Sequence, residues 1–477
     1  MTIGNSETNL PRANTLSEIP KTTLLTMFRL GLFQLGLGMM SVMVFGVLNR
    51  VLIRELGVPA TLATVILALT LFVAPARVWF GQLSDTKPLW GMHRTGYVLI
   101  GAASMAIIAF IAVQVMWQVG SNLQTQGWTG VTYAWTALLA VLFALYGMAV
   151  SASSTPFATL LVDVTDEEDR SRIVGVDWSM LIAGTSIGGI VIGILLRRVG
   201  LDAPLEVLQA AINRLFLIIP LVVFGLAWIA TWNVEKTYSR YALRVGQVHN
   251  KDQITFGRAW RILTANRQTQ VFFTFLIAMT MGLFMQDPVL ETYGADVFNM
   301  PIGSTAMLTS FWGIGTLIGI SSAGFLLAPR IGKRNTAKWG CILTTISLIW
   351  VVLAGFTGNS APLIAALLVF GLASGVTTTG AVTLMLDLTA AETAGTFIGA
   401  WGLAQALARG MSTIAGGAFL DLGRQLTPNP VLAYSVVFGA QAAVMLLAIW
   451  LLRRVNVQEF QTNAQKAIAT VLEAEMD

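Results

Sequence analysis

Twelve apolar stretches, each of about twenty residues or more, dominate this chain and restrict its fold more than any other feature. They run at roughly 24–48, 59–82, 95–119, 131–156, 173–197 and 211–232, then at 270–292, 302–328, 337–357, 361–387, 395–420 and 430–452. A stretch of that length crosses the hydrocarbon of a bilayer as a helix. In lipid only helices and closed barrels satisfy their own backbone polar groups. The stretches are too long for barrel strands and do not alternate. The spacing therefore predicts an all-α integral membrane protein with twelve transmembrane helices: six, a polar gap, then six.

Charge agrees. Only 11% of the 477 residues are charged, against about 25% in a soluble globular chain. The pI near 9.5 does not point to nucleic acid, because the basic residues cluster in short loops; the expected partner is the lipid bilayer. The polar gap at 233–269 holds Lys236, Arg240, Arg244, Lys251, Arg258, Arg261 and Arg267, and its segment from Phe256 to Leu263 has an amphipathic pattern. The alternate loops carry only Arg50, Arg54, Arg197, Arg198, Arg214 and Arg424; Arg29, Arg77 and Arg409 fall inside apolar stretches. Basic loops stay in the cytoplasm, so both termini and the gap are expected there. The organisation reads as a cytoplasmic segment 1–23, a six-helix half 24–232, a cytoplasmic linker 233–269, a second half 270–452 and a cytoplasmic tail 453–477. The polar start, with Glu18, predicts that the first stretch is retained as a helix.

The halves resemble each other. At a fixed offset, residues 151–175 and 375–399 share Thr155/Thr379, Thr159/Thr383, Leu160/Leu384, Asp163/Asp387, Thr165/Thr389, Glu168/Glu392 and Gly175/Gly399. Parallel six-helix pseudo-repeats are the sequence mark of the major-facilitator architecture. The loop after the second stretch adds Gly81-Gln82-Leu83-Ser84-Asp85, then Gly91-Met92-His93-Arg94, which is similar to that superfamily's loop signature. Gly81 is expected to permit close helix approach. Gly91 belongs to the same loop signature, and with Asp85 and Arg94 it is expected to act as a conformational latch.

Several motifs go further. SDTKPLWGMHRTGYVLIG (84–101), MGLFMQDPVLETYGADVF (281–298), RIVGVDW (172–178) and IGAWGLAQALARG (398–410) together resemble the PucC/LhaA-type, or bacteriochlorophyll delivery, family over nearly the whole chain. His93-Arg94-Thr95-Gly96-Tyr97 departs from the two arginines and Thr-Pro-Tyr of many relatives. The resemblance implies a membrane assembly factor for light-harvesting or photosystem complexes. Such a protein binds or delivers chlorophyll or bacteriochlorophyll, or shepherds antenna apoproteins, with pigment-synthesis enzymes as further partners. The membrane would be bacterial inner, intracytoplasmic or thylakoid. The alternative reading is an ion-coupled secondary transporter working by alternating access.

Polar groups at membrane depth need a reason. The seventh stretch holds Gln286, Asp287 and Glu291, with Pro288 placed to break the helix. The eleventh holds Trp401, Gln405 and Arg409, four apart and so on one face; Arg409 reads as the deepest cation, with Asp287, Glu291 or Asp387 as partner. Gln34 in the first stretch pairs with Arg29 in this reading. These residues form the expected pigment or ligand site. The single cysteine, Cys341, and two histidines, His93 and His249, exclude a disulfide framework and point to no metal site. No catalytic constellation stands out, so an enzyme is not expected. No cofactor is required; a pigment would be held transiently, by Gln34, Gln286, Gln405, a backbone carbonyl or water.

Overall fold

The computed structural model describes residues 20–166, 169–241, 267–387 and 394–455. In chain order the helices are α1 (Leu24–Glu55), α2 (Ala60–Thr86), α3 (Thr95–Gln126), α4 (Gly130–Val164), α5 (Arg170–Leu195), α6 (Leu205–Tyr238), α7 (Arg267–Phe284), α8 (Leu290–Phe298), α9 (Ile302–Ile331), α10 (Lys333–Gly355), α11 (Ser360–Asp387), α12 (Ala394–Leu426) and α13 (Pro430–Arg454). Ten of them are long and apolar enough to cross a membrane. The exceptions are informative. α7 and α8 are the two pieces of the seventh expected span, and α12 has the length, with 33 residues, but is more polar. These are the segments that carry Asp287, Glu291 and Arg409. The expected surface helix at Phe256–Leu263 and most of the 233–269 linker lie outside the described residues, as does the tail beyond 455.

One boundary differs in a way that matters. Hydropathy ends the first span at 48, with Arg50 and Arg54 in a loop. The helix instead continues to Glu55 through two π-helical segments, Val42–Leu48 and Val51–Glu55. The charges are tolerated because each finds a partner within the protein, as described below.

Small residues bring the helices together, as they must where lipid tails are as apolar as leucine. The repeat found in sequence recurs in the packing. Gly101 of α3 meets Ser153 of α4, and Gly340 of α10 meets Thr377 of α11; Gly147 of α4 meets the Thr70 carbonyl of α2, and Gly371 of α11 meets that of Trp312 in α9. Ser153/Thr377 and Gly147/Gly371 stand at the same offset as Asp163/Asp387.

Two seams join the halves. α5 turns Gly184 and Gly188 toward Leu35 and Met39 of α1, and Gly189 and Gly193 toward α9. At the other seam α2 lies against α12, with Gly417 on Ala60 and Thr64 and Gly410 on Phe72. The buried apolar residues divide accordingly. One large cluster draws on both halves, from Met39 to Phe438. Two smaller ones, around Phe33 and Phe157 and around Phe272 and Met445, each belong to one half. The smaller clusters lie toward the face where α1 begins and α13 ends, here the terminal face. The shared cluster lies toward the α1–α2 loop, here the far face. Among the described residues the halves thus share a core toward the far face and keep separate cores toward the terminal face.

A Cβ at Gly147 or Gly371 would run into backbone, whereas Gly225 has open space around it. Gly147→Val and Gly371→Val should each lose about 1–3 kcal/mol of stability, and Gly225→Val almost none. Thermal unfolding of the three variants in one detergent checks this; equal behaviour of all three would contradict the packing.

Candidate functional site at the broken helix

The break between α7 and α8 spans Met285–Val289. Pro288 has no N–H to donate and disfavours helical backbone at Asp287. A break at membrane depth leaves carbonyls without partners, and these must be satisfied by protein. Gln441 of α13, fully buried, donates its Nε2–H to the Gly282 carbonyl at 2.9 Å and also bonds Gln286. Asn49 of α1 donates to the Pro288 carbonyl from the opposite half. The Gln286 amide in turn donates to Asp287 at 2.9 Å.

Asp287 receives Arg409 at 3.4 Å, one of the partners anticipated from sequence. The Arg409 guanidinium lies 4.5 Å from the centre of the Phe284 ring, a cation–π placement. Ser41, Phe45, Gly46, Thr185, Thr309 and Trp312 complete a cavity here of about 40 Å³, between the halves. That volume holds water molecules and falls far below the roughly 300–1,000 Å³ of pockets that enclose a drug-sized ligand.

Glu291, one turn beyond Asp287, does not join Arg409. It is 3% exposed, its carboxylate lies against Gly46 and feels the charge of Arg50. Arg50 is 1% exposed, the most buried cation among the described residues; the Arg409 side chain is 38% exposed. Arg50 donates to Thr305 of α9 and reaches Glu55 at 3.3 Å. Arg54 pairs with Asp296 at 2.9 Å, and Asp296 also receives Arg424 at 3.1 Å and the Tyr434 hydroxyl at 2.8 Å. Three arginines thus face three carboxylates. Beside them Asp421 of α12 accepts the Ala60 and Thr61 N–H groups at 3.0 and 2.7 Å, capping the start of α2 from the other half; the Pro59 cap position has no side-chain bond of its own. With Ser310 donating to the Ser186 carbonyl at 2.7 Å, these bonds tie the halves together across the far face.

The other sequence candidates separate. Gln34 does not pair with Arg29: it donates to Asp177 of α5 at 2.9 Å. Arg29 binds carbonyls of α6, Ile229 at 2.8 Å and Trp232, where the helix is interrupted before Val234 at left-handed Asn233. Gln405 is half-buried one turn before Arg409. The side chains of Trp401 and Asp387 lie outside the described residues.

The loop between α2 and α3 forms a second polar centre at the terminal face. Trp90 and Gly91 both take left-handed conformations, φ 52° and 73°, in a tight turn closed by Leu89 and Met92. That φ is the reason for a glycine at 91. Gly81 is different: a Cβ there would sit an ordinary 3.5 Å from Thr155, so close approach does not require glycine. Arg94 reaches Asp85 at 2.6 Å, Asp163 at 2.9 Å and the Ser84 hydroxyl at 2.7 Å. Burial works against its charge, but Asp163 and Asp85 more than offset this and hold the guanidinium above its ordinary pKa. Glu235 accepts the backbone N–H groups of His93, Arg94 and Thr95, capping α3. Among the described residues these partners all belong to the first half and its continuation.

Residues 47–460 match the model of a family described as PUCC protein. The chain belongs to the PUCC protein family. It is 30% identical over 454 residues to Protein PucC of Rhodobacter capsulatus, covering 92% of this chain and 94% of that one. It is also 30% identical to a protein of the same organism named bacteriochlorophyll synthase 44.5 kDa chain, over 89% of this chain and 94% of the other. Among solved structures it is similar to a bacterial homologue of the iron transporter ferroportin, at TM-score 0.64 and 15% identity over 91% of this chain and 99% of that one. It is likewise similar to the nucleoside transporter NupG, at TM-score 0.65 and 12% identity over 90% and 99%. The fold of this PUCC-family protein is that of a major-facilitator membrane protein.

Arg50 is the fully buried member of an ion pair with Glu55 and also donates to Thr305. Arg50→Met should therefore cost about 3–5 kcal/mol, against about 1 kcal/mol or less for Arg54→Met, whose pair is partly exposed. Adding Glu55→Gln to Arg50→Met should recover part of the loss. Unfolding midpoints in detergent check this; an Arg50→Met protein as stable as the parent would refute it.

Proposed function

We propose that this PUCC-family protein is an assembly factor for photosynthetic light-harvesting or photosystem complexes. It binds or delivers chlorophyll or bacteriochlorophyll, or shepherds antenna apoproteins, and needs no catalytic chemistry of its own. The observation that carries this reading is the family match over residues 47–460, joined by a relative of similar length named for bacteriochlorophyll synthase. The working membrane is bacterial inner, intracytoplasmic or thylakoid, with both termini in the cytoplasm, as the basic loops favour.

The structure constrains how pigment would be handled. The cavity at the break, about 40 Å³, has no room for a tetrapyrrole ring. Pigment handling therefore calls either for separation of the halves or for docking on the outer, lipid-facing surface. Exposed aromatics such as Trp79, Trp178, Trp228 and Phe325 suit the second route. A second reading, an ion-coupled transporter, is favoured by one feature: Asp287, Glu291 and Arg409 stand between two halves of alternating-access type.

A clean deletion in the native host should lower antenna or photosystem complexes several-fold while leaving small-solute uptake unchanged. Gentle purification from the same membranes should bring chlorophyll-type absorption bands and antenna polypeptides with the protein. Normal complex levels in the deletion would sink the proposal and turn attention to a substrate screen.

A further inference from the structure

Four buried side-chain oxygens around the break have no hydrogen-bond partner among the described residues. They are both carboxylate oxygens of Glu291, the amide oxygen of Asn49 and that of Gln441. The three residues are 3%, 1% and 0% exposed. A carboxylate at such depth is costly unless a positive charge or a donor meets it directly. The arginines are engaged elsewhere. Arg50 is held by Glu55 and Thr305, and Arg409 by Asp287; Arg50 acts on Glu291 through space. The Thr305 hydroxyl beside Glu291 receives Arg50 and donates to the Ile302 carbonyl at 3.1 Å.

The acceptors share one place. Gly46 and Asn49 lie about one turn apart on α1. The Glu291 carboxylate occupies the space that a side chain at Gly46 would take. Asn49 donates its amide N–H to the carbonyl of Pro288, about one turn before Glu291. Asn49 and Glu291 therefore stand on one contact between α1 and α8, one from each half. Gln441 adjoins it through Gln286. Gly46 and Gln286 also line the cavity of about 40 Å³, together with Ser41, Thr185 and Thr309, whose hydroxyl oxygens add weaker acceptors. α7 ends at the break, so the negative end of its backbone dipole is directed there. Against these acceptors the cavity wall offers one buried unpartnered donor, the Trp312 indole N–H.

We propose that Glu291 and the amide oxygen of Asn49 bind a small alkali-metal cation at the Gly46 side of the break. Oxygen ligands of this kind suit a hard cation, and interrupted helices between two repeats are where such ions are held. The charge is limited to one, because Arg50 and Arg409 stand close by and only the Glu291 carboxylate is free of a direct partner. Bound there, the ion ties α1 to α8 and so one half to the other. The site requires neither pigment handling nor solute flux.

The test uses purified full-length protein in phosphatidylcholine nanodiscs, with sodium chloride exchanged for choline chloride at constant ionic strength. Radioactive sodium should bind saturably and be displaced by unlabelled sodium. The unfolding temperature should rise by about 2 °C with sodium at roughly ten times its dissociation constant. Glu291→Gln should abolish both effects. In choline it should be at least as stable as the parent, because the neutral amide removes a buried charge. Gly46→Ala should weaken binding although it removes no ligand, since its Cβ displaces the carboxylate. Asp177→Asn, at another buried acid, should keep both effects. If sodium does not bind, or the parent and Glu291→Gln respond to it alike, the proposal is overturned. It is also overturned if stability follows pH and not sodium and loses that dependence in Glu291→Gln; Glu291 then holds a proton. Binding is measured on the isolated protein, so this outcome is independent of whether deletion affects antenna assembly.

Discussion

The break at Asp287–Pro288 is the constraint around which the rest of the structure is arranged. A backbone interrupted at membrane depth exposes carbonyls that lipid cannot satisfy. Gln441 from the same half and Asn49 from the other supply the missing donors. Because one donor comes from α1, the break stitches the two halves together as it is satisfied. The π-helical segments of α1 begin just before it, at Val42, and run past it to Glu55. π-segments of this kind are common at functional sites.

Two electrostatic environments follow on either side of the break. Toward the far face Arg50 pairs with Glu55, and Arg54 and Arg424 share Asp296, with Asp421 capping α2 across the seam. Toward the terminal face the described residues of the two halves keep separate cores, and Asp287 meets Arg409. Among the described residues the loop centre around Arg94 draws its partners from the first half and its continuation.

Much of this was legible in the sequence. Stretch length announced the membrane helices, and the Asp163/Asp387 offset announced a repeat that the glycine contacts of Gly147 and Gly371 reproduce. Three polar groups around a proline marked the break, and Asp287 was among the partners foreseen for Arg409. Other features were hidden for physical reasons. Hydropathy ends a span at Asn49-Arg50 because it scores residues one by one, whereas these charges are tolerated through partners some 240 residues away or more, such as Pro288 and Thr305. Asp421 and Asp296 look like ordinary helix-end acids until the opposite half is in place. Gln441 left a faint signal, a lone amide inside an apolar run, which the general rule for intramembrane polar groups would have caught. Gln34 was paired with the wrong neighbour because a helix face does not reveal which helix packs on it.

The central claim is that contacts at and beside the break hold the halves shut at the far face. It is tested most directly by crosslinking across the α5–α9 seam. Cys341 is fully buried, so a Ser186→Cys/Ser310→Cys pair, introduced where the Ser310 hydroxyl meets the Ser186 carbonyl at 2.7 Å, can be joined by a short bifunctional thiol reagent with little background. A high yield of bridged protein, falling sharply when Arg50→Met is added, is the predicted result. A folded protein in which the pair fails to bridge, or bridges equally well with and without Arg50, would contradict the account.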